Sequence, residues 1–196
     1  MIKLADLPWL IAGSEKLLQC GHKHHCLLSR GQPAIGKYLL ALDTAKHLLC
    51  ENSAEVGACG SCRACHLVLG SMHPDLHILM PETYDEHDDS TLLNHAQRYL
   101  DAGQSSQKRK PSSQISVDSA RLLSNALLWT SRNGGRKVAL VLAADTLNRN
   151  AANAMLKVLE DAGAKSFYRN DGTEYLGSDG QYHAVSYTHL TLPTKA

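Results

Sequence analysis

The sequence has no apolar run approaching the ~18–20 residues that a membrane span requires. It has no dominant charge either: 20 Lys and Arg stand against 19 Asp and Glu, a formal net charge of +1. A near-zero balance gives no electrostatic reason for the whole surface to bind nucleic acid, though it leaves room for a local basic patch. The opening MIKLADLPWLIAGSEKLL is broken by acidic and polar residues before an apolar core builds up, so no export leader is expected. There is no set of acidic residues placed to hold two metal ions, which excludes polymerase chemistry by this polypeptide itself. No membrane partner and a cytoplasmic location are therefore expected, a reducing setting in which clustered cysteines favour metal over disulfides.

What is present is concentrated. Four of the six cysteines fall in sixteen residues, Cys50, Cys59, Cys62 and Cys65, the last three at every third position. Four thiolates form a closed tetrahedral shell for Zn²⁺, and a C-x₂-C step lets one tight turn aim two sulfurs at one ion. Gly57 and Gly60 supply the backbone freedom for such turns. Buried or reactive free thiols are the plainer alternative. An iron–sulfur cluster is a third, but its usual C-x₂-C-x₂-C-x₃-C-P run is not matched: the fourth cysteine lies upstream and no proline follows Cys65.

A second motif precedes it. Gly31-x₄-Gly36-Lys37 follows the apolar run 24–29, read as a buried strand, and opens a helical pattern over 38–50. Strand, glycine loop and helix are the setting of a phosphate-binding loop, where backbone N–H groups, the lysine and the helix N-terminus meet the phosphates. The position after the lysine should carry a Ser or Thr hydroxyl for Mg²⁺, and here it is Tyr38. The partner carboxylate should end a later aliphatic strand, yet Lys137–Ala143 runs out in Leu142-Ala143-Ala144, with Asp145 beyond it. ATP binding is weakened on this reading, and Mg²⁺-dependent hydrolysis is not expected.

Further along, 13–20 reads as a helix capped by Ser14, and 63–69 as a helix stopped by Gly70. Leu76–Met80 reads as a strand after His73-Pro74-Asp75, and 82–114 as a polar surface insertion with one helix near 90–101. Within the insertion, Lys108-Arg109-Lys110 could touch phosphate, although such a triplet is more often solvated. Residues 119–131 form an amphipathic helix, 137–143 a strand covered on both faces, and 148–160 another helix. This alternation argues for a parallel α/β sheet. From 161 to 196 no helix or strand is expected.

Taken together, Pro8-Trp9-Leu10, HHCLLSRGQPAIGK at 24–37, LLC at 48–50 and CGSCRAC at 59–65 resemble the delta prime family of bacterial DNA polymerase III clamp-loader subunits. So do HPDLHILMPE at 73–82, ISVDSARLL at 115–123 and RKVALVLAADTLNRNAANAMLKVLE at 136–160. The resemblance implies a RecA-like AAA+ P-loop domain over 1–160. A structural four-cysteine zinc module (50–66) is inserted in it, on the ligands Cys50, Cys59, Cys62 and Cys65, and the nucleotide loop, Gly31, Gly36 and Lys37, is degenerate. It implies a non-hydrolysing subunit, not catalytic alone, of the DNA-directed DNA polymerase holoenzyme. Its partners would be gamma/tau and delta subunits, with the sliding clamp and primed DNA met through the complex in DNA replication. An active gamma/tau-type ATPase is the alternative. The family's Ser-Arg-Cys finger, lid and collar have no counterpart here, and the acidic residue and two prolines expected after Glu160 are replaced by Asp161-Ala162-Gly163. The ending VSYTHLTLPTKA resembles sequencing-adaptor read-through, so 161–196 is expected to be a non-family tail on a truncated or frameshifted chain, although Leu192-Pro193-Thr194 is similar to a family tripeptide. Val138 to Leu142 is then expected to keep an uncovered edge.

Overall fold

The computed structural model describes residues 8–23, 26–31, 35–53, 57–84, 90–102, 110–132 and 135–161, and the pairs 175–176, 182–183 and 190–191. They divide into two compact units, 1–44 with 159–196, and 45–158.

The first unit begins with a 3₁₀ turn at Pro8–Leu10 that runs into α1 (Ile11–Lys23). Ser14, expected as a cap, lies inside this helix. It is buried, and its Oγ donates to the Asp43 carboxylate at 3.4 Å. The helix thus starts two residues before the expected one. Leu10, Leu17, Ile35 and Leu40 form the core here, with Trp9 and Leu27 against them. The Trp9 indole N–H donates to the Ile35 carbonyl at 3.3 Å, which satisfies the one polar atom of an otherwise apolar side chain.

The expected strand over 24–29 shrinks to β1 (Ser29–Arg30). Residues 26–28 are irregular, and 24–25 lie outside the described residues. An apolar run becomes a strand only as far as a neighbour supplies ladder partners. The partner of β1 is β6 (Leu190–Thr191), parallel, with Ser29 opposite Leu190 and Arg30 opposite Thr191. Two further strands, β4 (Tyr175–Leu176) and β5 (Tyr182–His183), pair antiparallel. The expectation of no strand beyond 161 is corrected at these six positions, where Tyr, Leu and Thr suit an extended backbone. The rest of the tail lies outside the described residues. α2 (Lys37–Leu49) follows the glycine loop, and the division between the units falls within it.

The second unit carries the sheet pair the sequence predicts. β2 (Leu76–Leu79) and β3 (Val138–Val141) are parallel, in register from Leu76 opposite Val138 to Leu79 opposite Val141. All four residues of β2 are buried, which is why the run is nearly continuously aliphatic. β3 is half-buried throughout, not covered on both faces as its composition suggested. Against β2 pack α4 (Ser90–Ala102) and α5 (Val117–Leu128). The helix expected near 90–101 is present, but it is not a surface helix. Leu92, His95, Ala96 and Tyr99 sit at i, i+3, i+4 and i+7 on α4, and all are buried. Each large apolar side chain among them contributes ~1.5–3 kcal/mol. Of the basic triplet, Lys110 is exposed and the other two lie outside the described residues.

α5 is capped by Ser116, whose Oγ accepts the Ser119 N–H at 3.0 Å. It ends at Leu128, three residues short of the expected boundary, and Lys137 Nζ donates to the carbonyl of Ala126 in its last turn. A 3₁₀ turn at Ala144–Thr146 follows β3, and α6 (Arg149–Asp161) is capped by Asn148, whose Oδ1 accepts the Ala151 N–H at 2.8 Å. α6 is tied to α5 by Ser124 Oγ, which donates to the Ala154 carbonyl at 3.0 Å. No helix among the described residues is long and apolar enough to cross a membrane.

Candidate metal centre

Cys50 follows the last residue of α2 and is held by its own N–H, which donates to the His47 carbonyl at 3.2 Å. The chain returns at Cys59 and turns through Gly60. That glycine has φ +72°, a conformation an L side chain rarely adopts, and open space surrounds it. The turn needs glycine for backbone freedom, not for room. Cys62 is the N-cap of α3 (Arg63–Leu69), and Cys65 sits in its first turn. A short helix thereby points two sulfurs the same way.

The four sulfurs lie within 4.8 Å of one another, and Cys50 Sγ is 3.8 Å from Cys62 Sγ. A tetrahedron with Zn–S of about 2.3 Å has edges of about 3.8 Å, so this pair already has the spacing a zinc ion sets. Backbone donors surround the sulfurs. Cys59 N–H reaches Cys50 Sγ at 3.3 Å, Cys62 N–H reaches Cys59 Sγ at 3.3 Å, and Cys65 N–H reaches Cys62 Sγ at 3.4 Å. Such donors stabilise thiolates over thiols. At the exposed Cys59, N–H groups of Ser61 and Cys62 bring the thiol down to about 6. At Cys62 burial pushes upward, but N–H groups of Cys65 and Glu51 outweigh it and the net shift is downward. Cys65 is pushed up to about 12, by burial first and by Cys62 second. The donor set, its spacing and its hydrogen bonds fit a four-thiolate metal site, and the residues are those named from the sequence. A metal held by all four sulfurs would have no open position for substrate, the arrangement found in structural sites.

α3 ends in a way the sequence did not predict. Gly70 is its C-cap, but with φ −78°, and the left-handed residue is Ser71 at φ +58°. A side chain on Gly70 would place its Cβ 3.2 Å from the His66 carbonyl oxygen.

The phosphate-loop residues lie in the other unit. Gly36 has φ +91° and its carbonyl accepts the first bond of α2, from Leu40 N–H at 3.2 Å. Lys37 begins the helix, and its Nζ donates back to the Gly31 carbonyl at 3.1 Å. Loop residues 32–34 lie outside the described residues. Tyr38 is half-buried at the position where a hydroxyl would hold Mg²⁺. Asp145 is exposed in the 3₁₀ turn, beyond the end of β3. The turn is entered through Ala143 at φ +52° and closed by Thr146, whose N–H and Oγ1 both donate to the Ala143 carbonyl.

Two buried polar groupings escaped the sequence reading. The Tyr99 hydroxyl lies 2.6 Å from His77 Nδ1, and a ring N–H of His95 donates to the Val68 carbonyl of α3. Separately, both carboxylate oxygens of buried Asp75 accept the Arg132 N–H, at 2.9 and 3.2 Å. The signal for the first was the i, i+4 spacing of His95 and Tyr99 on the apolar face of α4. The Asp75 tether joins residues 57 apart and has no local signature.

Comparison with known proteins gives a consistent result. A family model described as DNA polymerase III, delta subunit, matches residues 10–168. The DNA polymerase III subunit delta' of Pseudomonas aeruginosa is 36% identical over 159 residues, covering 81% of this chain and 40% of the relative. That of Escherichia coli is 32% identical over 164 residues, covering 82% and 41%, and that of Yersinia pestis 30% identical over 167, covering 84% and 41%. The chain thus spans about two fifths of the length of these curated relatives. The matched span takes in the four cysteines, the glycine loop and both strands of the parallel pair, and on that match the chain belongs to the DNA polymerase III delta subunit family, among relatives named subunit delta'.

Proposed function

We propose that the chain is the AAA+ portion of a clamp-loader subunit of DNA polymerase III, acting through protein contacts and not through ATP hydrolysis. Its relatives' name supports the complex, and Tyr38 carries the second half of the reading. A phenol directly after Lys37 cannot take the place of the Mg²⁺-binding hydroxyl without moving the loop, and Asp145 lies in an exposed turn beyond β3. The Lys37 amine is also engaged with the Gly31 carbonyl, so phosphate would have to displace an existing contact. On this reading residues 1–160 are the nucleotide-type domain, Cys50, Cys59, Cys62 and Cys65 bind one structural Zn²⁺, and Gly31, Gly36 and Lys37 are a relic of a nucleotide site. The partners are gamma/tau and delta subunits, with clamp and primed DNA reached through the assembled loader in the cytoplasm.

The test has two arms. The product of the complete gene should co-purify with gamma/tau and delta subunits, and failure to do so would remove the clamp-loader assignment. The present chain should show no ATP turnover above background. Steady-state hydrolysis abolished by Lys37→Ala would instead establish an active ATPase of the gamma/tau kind.

A further inference from the structure

The buried face of α4 is unusual in what it uses for contact. Among its described buried side chains, Leu92 and Ala96 are apolar, while His95 and Tyr99 work through hydrogen bonds to two different elements. Tyr99 meets His77 of β2 at 2.6 Å, and the rings stand edge to face with centroids 6.1 Å apart. His95 meets the Val68 carbonyl at the end of α3. In both imidazoles Nε2 is buried without a hydrogen-bond partner. Because Nε2 of His95 is unpaired, Nδ1 is the donor to Val68 and Nε2 is a bare lone pair.

A neutral imidazole tolerates this environment, and a charged one does not. A proton added to His95 creates a buried N–H cation with no acceptor. In protonated His77 both ring nitrogens carry hydrogen, so Tyr99 must accept from Nδ1 and Nε2–H is left unsatisfied. The surroundings add to the cost. His77 faces Arg98 and His95 of α4, Lys137 before β3, and Asp75 before β2, whose carboxylate is already bonded to the Arg132 N–H. His95 faces Arg98 and His73. α5 also packs here, and its charged pair, Asp118 with Arg121 at 3.6 Å, is at the surface.

We propose that His77, Tyr99 and His95 form an acid-sensitive latch that holds α4 on β2 and α3 while both rings are neutral, and releases α4 as a unit when either ring takes a proton. Burial, reinforced by Arg98, pushes both imidazoles down to about 4 from the ordinary 6.5, which is the direction the latch requires. α5 provides the internal contrast. Its buried residues, Ser119, Ala120, Leu123 and Ser124, contain no titrating group. The bond from Ser119 Oγ to the Tyr99 carbonyl goes with α4, but the packing of α5 on β2 and the bond from Ser124 Oγ to the Ala154 carbonyl do not depend on either ring.

Hydrogen exchange on the 196-residue chain between pH 7.5 and 4, corrected for intrinsic rates and run with and without a chelator, reads this directly. Protection over 90–102 should fall at least ~10-fold between pH 7 and 5, while that over 117–128 changes less than ~3-fold. The step should persist when metal is removed. Two histidine Cε1–H resonances should stay untitrated down to about pH 5 and move together with the loss of protection. Loss of protection over both helices at one pH, a step present only when metal is lost, or titration of both rings near 6.5 with α4 still protected would each overturn the latch. The His77→Gln/His95→Gln double variant, where it folds, should show no pH step over 90–102. Should it not fold, the wild-type exchange and resonance data decide alone.

Discussion

The cysteine module and the phosphate loop are built on similar plans. Each is a glycine-supported turn that feeds the first turn of a helix, and each gathers polar groups at that helix's N-terminus. They differ in where those groups point. In the module, Cys50, Cys59, Cys62 and Cys65 converge within 4.8 Å, and successive N–H groups support the sulfurs, so the geometry suits a single ion. In the loop, the lysine turns back to a carbonyl six residues upstream, and the next position offers a phenol. A turn and a helix start do not make a site. The groups they carry must be directed at something outside the chain.

The largest effect should come from emptying the module. Chelation, or Cys62→Ser, is expected to lower stability by at least ~3 kcal/mol and to take zinc from about one per chain to none, read by thermal unfolding and elemental analysis. An unchanged melting temperature after complete metal removal would erase the contrast, because both turns would then be mere loops. Acid should act next, on the unit that contains the module. Burial holds His77 and His95 down at about 4, below their ordinary 6.5. The unfolded chain therefore binds protons first, and stability present above about pH 6.5 is lost as pH falls toward 4. Urea midpoints from pH 7.5 to 4 should fall by the equivalent of ~1–3 kcal/mol, and by clearly less in His95→Gln.

A gain should come from Ser71→Gly. It removes the left-handed penalty at the end of α3 and is expected to add ~0.5–1 kcal/mol, measurable as a higher denaturant midpoint with an unchanged slope. On the other side of the comparison, Lys37→Ala should cost less than ~0.5 kcal/mol, because an exposed lysine–carbonyl bond contributes little net. Tyr38→Ser should be the quietest change. Restoring one hydroxyl without a strand-end carboxylate should leave Mg²⁺–ATP binding undetectable by calorimetry, and tight binding would mean the loop is far closer to function than its contacts suggest.

The sequence was most readable where a pattern was local. The cysteine spacing named all four sulfurs. Aliphatic periodicity placed α2, α3 and α6 within a residue or two, and the Leu76 and Val138 runs came out parallel as the alternation of elements required. Reading failed where structure depends on a distant partner. The run from His24 to Ser29 is apolar enough for a strand, but a strand exists only where another backbone lies alongside, and among the described residues here just Ser29 and Arg30 have one. α4 was legible as a helix, but polar flanks hid its buried face and made it look like surface. Ser14 had the chemistry of a cap and became instead the partner of Asp43, because hydroxyls serve either role. The left-handed residue after α3 fell on Ser71 beside a glycine that could have taken it, and nothing in the structure explains that choice.

The bond from Asp75 to the Arg132 N–H has a consequence for the order of folding. It clamps the entrance of β2 to the chain just before β3, closing 57 residues that contain α4 and α5. Closing a flexible loop of that length costs about 3–4 kcal/mol of chain entropy, a cost met before the β2–β3 ladder contributes anything. Helices formed early within the loop shorten its effective length, so α4 and α5 act as spacers that bring two distant strands within reach. Asp75→Ala should then slow refolding more than it speeds unfolding, and the reverse ratio in stopped-flow measurements would show that the clamp closes after the strands have met.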